Sequence, residues 1–153
     1  AWYHISPWGL AWDNENYYLV GYDSDAGRIK HYRVDKMLHI RISEEEREGR
    51  EHFQKLDMAD YTKKSFGMFG GEEQTVKLLV DNSLVGVILD RFGKDMMLIP
   101  ADEGHFTVNV DVHVSGQFLG WIFSLGEQVK ILSPEGVVEQ MKREAERLIR
   151  QYG

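Results

Sequence analysis

The sequence predicts an α+β protein in two parts, a small SH3/Sm-like β-barrel followed by a ferredoxin-like αβ domain with an extra C-terminal helix. Three observations carry that expectation. Short strand-forming runs separated by polar and glycine-containing turns fill about the first forty residues. From Thr75 onward, strand-like and helix-like stretches follow in the order strand, helix, strand, strand, helix, strand. In the middle of that series Phe106, Val108, Val110, Val112 and Val114 alternate with polar residues, the signature of a half-buried strand.

In chain order, residues 2–12 mix Trp, Tyr, Ile and Leu with Ser6-Pro7 and Gly9, which predicts two short strands with a bend at the proline. Asp13-Asn14-Glu15-Asn16 is a turn, and residues 17–22 suit a pleated surface. Gly27 closes the next turn and 28–33 returns as the partner strand, completing a hairpin. Alternation on that strand puts Ile29, His31 and Arg33 on one face and Arg28, Lys30 and Tyr32 on the other. Residues 34–37 form a turn or bulge, and Leu38, Ile40 and Ile42 alternate as a further strand. The barrel is therefore expected over 1–43, a solvated connection with a short helix over 44–74, and the αβ domain over 75–153.

Within the connection, Asp60 is the expected cap of a helix reaching residue 66, and Gly67-Met68-Phe69-Gly70-Gly71 closes it. Further on, 75–80 reads as a strand, 82–91 as a helix, 96–99 as a strand and 106–114 as the long strand. Ser115 caps a second helix that ends at Gly126, and 129–132 is the fourth strand. Ser133-Pro134 opens the last helix, with the serine as cap and the proline in the first helical position. Its stripe of Val137, Val138, Met141, Ala145, Leu148, Ile149 and Tyr152 calls for a packing partner.

Composition narrows the function. The 153 residues carry a formal charge of -7, which argues against wholesale coating of nucleic acid, yet 28–41 holds five Lys/Arg against Asp35 alone. Without cysteine there is no disulfide framework, thiolate metal site or cysteine nucleophile, which fits a cytoplasmic setting. No apolar run approaches the ~20 residues of a membrane span, so no membrane partner is expected. His4, His31, His39, His52, His105 and His113 lack metal-ligand spacing, and no paired acids or nucleophile with a base emerge. No metal, cofactor or catalytic residue is therefore expected. The chain starts on an apolar run without an initiator Met, as a piece of a longer protein would.

Tyr17-Tyr18-Leu19, followed by Lys30-His31-Tyr32-Arg33-Val34-Asp35-Lys36-Met37, is similar to the signatures of WYL-domain transcriptional regulators, and the tail from 75 to 152 resembles their WCX extension. Tyr17 stands where the family has Trp, and Lys30 and Lys36 where it has Arg, a point charge in place of a planar fork. The resemblance implies a non-enzymatic ligand-sensing module, forming a homodimer, that binds a nucleotide or a single-stranded nucleic acid. Promoter DNA would be read through a helix-turn-helix N-terminal to Ala1.

The implied ligand-binding residues are Tyr18, Lys30, Arg33 and Lys36, with His31, Ser6 and His4 nearby. Cations would meet phosphates and the tyrosine ring would stack on a base. The plainer reading is a solvated barrel edge, where Lys and Arg discourage strand pairing. A protein-interaction or dimerisation module without a small ligand is the alternative.

Overall fold

Three antiparallel strands open the chain: β1 (Ile5–Asp13), β2 (Asn16–Asp23) and β3 (Arg28–Arg33), in the order β1-β2-β3. The computed structural model describes residues 1–66 and 70–153, in two compact units that divide between Gly70 and Gly71. The expected closing turn at Gly67-Met68-Phe69 lies outside the described residues. Asn14 and Glu15, with φ of 47° and 63°, make the two-residue turn that joins β1 to β2 and matches the twist of paired strands.

β1 is one strand, not the two short ones expected. A one-residue register slip between Pro7 and Gly9 absorbs the proline without ending the pairing. The strand expected at 38–42 does not form. His39 takes the left-handed φ of 56°, which interrupts the extended run, and Leu38, Ile40 and Ile42 are 81%, 72% and 99% exposed. Two short helices follow, α1 (Arg50–Phe53) and α2 (Met58–Lys64). Asp57, three residues before the expected Asp60, caps α2 by accepting from the Ala59 and Asp60 amides. Ala11, Val20 and Tyr61 form the buried centre of this unit, with Tyr18, Ile29, Phe53, Leu56 and Met58 packed around it.

The second unit contains β4 (Glu72–Asp81), α3 (Val85–Phe92), β5 (Ile99–Pro100), β6 (His105–Val114), α4 (Gly116–Ser124), β7 (Val129–Ser133) and α5 (Glu135–Tyr152). Its strand order β5-β6-β4-β7, antiparallel throughout, is the ferredoxin-like topology with one added helix. Val76, Leu78 and Val80 of β4 stand opposite Val110, Val108 and Phe106 of β6, and all six are buried. Ile88, Phe118, Ile122 and Val137 bring the buried faces of α3, α4 and α5 to the core.

Ser115 caps α4 as its sequence predicts, accepting from the Phe118 amide at 3.2 Å. Ser133 does not cap α5. It completes β7 opposite Lys77, so Pro134 becomes the residue before the helix and supplies no side-chain cap. The last helix buries Val137, whereas Ile149 and Tyr152 at the far end of its apolar stripe stay exposed.

Candidate ligand-binding face

The register of the hairpin decides which of the basic residues can act together. β2 and β3 pair Tyr18 with Arg33, Val20 with His31, Gly21 with Lys30 and Asp23 with Arg28. Residues opposite one another in an antiparallel pair share a face. Tyr18, His31 and Arg33 therefore lie on the core side of the sheet, and Lys30, Tyr32 and Arg28 on the other side.

Each of these groups has a defined environment. On the outer side, Lys30 Nζ donates to Asp23 Oδ2 at 2.5 Å, and the Tyr32 hydroxyl donates to the same oxygen at 3.2 Å. The Lys30 ammonium, with a hydrogen bond from the Ala26 amide, holds the Asp23 carboxyl below its ordinary range. Burial, reinforced by the charge of Asp23, pushes the Tyr32 phenol up to about 12. The Tyr3 ring lies 6.2 Å from that of Tyr32.

On the core side, Arg33 is oriented by three bonds. Its Nε and Nη2 donate to the two carboxylate oxygens of Asp35 at 3.0 and 2.8 Å, and Nη2 also donates to Asn16 Oδ1 at 2.8 Å. That fork holds the Asp35 carboxyl below its usual range and raises Arg33. Both hydrogens of Nη1 remain without a partner among the described residues.

A 3-10 turn at Val34–Lys36 packs against β2 and carries Lys36, which is exposed and makes no ion pair among the described residues. His31 is half-buried, its Nε2 2.7 Å from the Tyr61 hydroxyl. Burial pushes that hydroxyl up to about 12. Ser6 Oγ is engaged by the Glu48 amide at 2.8 Å, and His4 is exposed just before β1.

The structure thus brings Tyr18, Arg33 and His31 onto one face, sets Lys30 on the opposite face, and ties Ser6 to a later segment. Sequence reasoning missed Asn16 and Asp23, the partners that orient Arg33 and Lys30. Both sit in or beside turns, and alternation says nothing about where a turn-flanking side chain points.

Among the described residues there is no group of three or more His, Asp or Glu placed to hold a metal ion, and no helix is long and apolar enough to cross a membrane. The first unit thus sets an oriented guanidinium opposite a tyrosine on a small sheet, and the second has the ferredoxin-like topology. The chain belongs to the WYL–WCX family: the WYL domain matches residues 1–42 and the WCX domain residues 72–149. On that family evidence it is a regulatory module.

Among solved structures it is similar to the proteasome accessory factor B/C (PafBC) of Arthrobacter aurescens, with 18% identity and a TM-score of 0.39. The similarity covers 90% of this chain and 21% of that one, so the chain spans about a fifth of that protein's length. No curated protein matches the chain.

Proposed function

We propose that this chain is the ligand-sensing part of a transcription regulator and that it binds a nucleotide or a short single-stranded nucleic acid where Tyr18 and Arg33 stand side by side. The observation that carries this reading is the Arg33 guanidinium, fixed by Asp35 and Asn16 yet with Nη1 uncommitted among the described residues. A phosphate can take those donors while a base lies on the Tyr18 ring. The Asp35 partner is exposed, so water already competes for the fork and an incoming phosphate can share or replace it. Lys36 adds a second cation from the neighbouring turn. Lys30, on the other side of the sheet and held by Asp23, is not part of the contact.

Ligand binding moves a regulator only by as much as the ligand prefers one of its states. The DNA-reading element that would respond belongs to a partner region outside this sequence. Titration of short oligo-dT and of nucleoside monophosphates at low salt is expected to show binding that weakens steeply as salt rises. Arg33→Ala combined with Lys36→Ala should abolish the oligo-dT binding, and Lys30→Ala should leave it within twofold, on the order of 0.4 kcal/mol. Oligo-dT binding that survives the double substitution, or that falls equally with Lys30→Ala, would overturn the assignment.

A second reading, a dimerising module, is favoured by the exposure of Leu10, Trp12 and Tyr17 on the outer sheet face. Light scattering on the same samples reads it.

A further inference from the structure

The register slip in β1 leaves Trp8 without a partner on β2. A bulge re-aims the side chain it carries. Here the indole N–H donates to the Glu48 carbonyl at 2.7 Å, and the ring stacks on Phe53 of α1, with centroids 5.6 Å apart and planes 19° from parallel. The segment leading into α1 is fastened to the sheet at further points. Arg47 Nη1 donates to the Pro7 carbonyl at 3.1 Å, and its guanidinium carbon lies 4.3 Å from the centre of the Trp8 ring. The Glu48 carboxylate accepts from the Ser24 hydroxyl at 2.5 Å. Gly49, at φ 78°, lies against Tyr22 so closely that a Cβ there would be 2.3 Å from the ring's Cγ. Only glycine fits that turn.

These ties frame a cleft of about 310 Å³ lined by Trp8, Arg50, Phe53 and Gln54. Small-molecule sites run from ~300 to ~1,000 Å³, which limits this one to a ligand of one or two rings. The indole and phenyl groups give it an apolar aromatic wall. The Arg50 side chain is exposed at its rim and makes no hydrogen bond or ion pair among the described residues. Glu51, its neighbour in sequence, lies 3.6 Å from His52. Gln54 offers one amide donor pair and one acceptor. An aromatic wall beside an uncommitted guanidinium selects for a flat ring that carries negative charge.

We infer that this cleft binds a planar aromatic ring bearing one anionic group, a phosphate or a carboxylate, with the ring against Trp8 and Phe53 and the anion on Arg50. It shares no residue with the Tyr18–Arg33 face and does not depend on that assignment.

The test is calorimetric titration, supported by tryptophan fluorescence, with two anionic probes, AMP and 2-naphthoate. Each is compared with its uncharged counterpart, adenosine or 2-naphthalenemethanol. At least one anion should bind, and its uncharged counterpart should bind about tenfold more weakly, the loss expected for one charge-assisted hydrogen bond. Measured in a chain that already carries Arg33→Ala and Lys36→Ala, so that the other face is removed, Arg50→Ala should cost a similar factor and Arg50→Lys should recover part of it.

Binding of AMP alone would identify a nucleotide as the source of the anion, binding of naphthoate alone an aromatic acid, and binding of both the shared chemistry. No binding by either anion, equal binding of charged and uncharged probes, or indifference to Arg50→Ala would overturn the inference. Loss of binding on Arg33→Ala and Lys36→Ala, with Arg50 intact, would assign the probe to the other face.

Discussion

The two units use their apolar residues in opposite ways. In the second, paired valines, leucine and phenylalanine of β4 and β6 are sealed under α3, α4 and α5. In the first, the buried hydrophobic residues among those described are Ala11, Val20, Tyr61 and Phe66, while Trp2, Tyr3, Leu10, Trp12, Tyr17, Leu38, Ile40 and Ile42 face solvent. Apolar burial of this kind is the dominant favourable term in folding, so the second unit is built as a scaffold. The first leaves much of its aromatic surface available for contact, and both candidate binding features lie on it.

The sharpest way to break that comparison is to remove a core side chain from the scaffold. Leu78→Ala, at a position with no exposure, should destabilise the second unit by about 2–5 kcal/mol. Denaturant unfolding followed through Trp121, which packs edge-on against Phe92, reads that loss. A change below about 1 kcal/mol would mean that the core collapses around the gap far better than its packing suggests.

The first unit should show a smaller, pH-linked effect. Tyr61 and Tyr32 are both held protonated up to about 12, against an ordinary value of 10.0. Below pH 10 their contribution is constant. As pH rises from about 10 towards 12 the unfolded chain loses these protons first, so the folded state loses stability over that window. Tyr61→Phe removes the bond to His31, at about 1 kcal/mol, and should leave only Tyr32's share of the alkaline slope. An unchanged slope would show that Tyr61 titrates freely. The smallest effect belongs to the exposed run after β3: Ile42→Ser should change stability by no more than about 0.5 kcal/mol in chemical denaturation.

How much of this was legible in the sequence follows the same division. The second unit was readable because β6 alternates over its whole length and Ser115 sits where a cap must be; both are local signals. It slipped at Ser133, where the strand ran one residue further than its apolar pattern, and at β5, which spans Ile99–Pro100 and leaves out residues 96–98 of the strand expected at 96–99. The first unit misled where pattern and pairing part company. Leu38, Ile40 and Ile42 alternate like a strand but pair with no other, and the bulge at Trp8 joins what reads as two strands into one.

The separation of Lys30 from Arg33 was legible from alternation. Their partners Asp23 and Asn16 were not, because side-chain direction at a turn is set by three-dimensional context. The cleft at Trp8 could not be read at all, since it depends on Glu48, Gly49 and Phe53 from a stretch that looks like solvated linker.

The place of β4 in its sheet has a consequence for how the chain is made. It is the first strand of its unit to leave the ribosome, yet it lies between β6 and β7 and pairs with both. One edge therefore stays open until synthesis has passed residue 114, and the other until it has passed residue 133. A nascent chain halted between β4 and β6 would display a bare, strongly apolar strand to its surroundings, and that interval is when the protein most needs protection from aggregation.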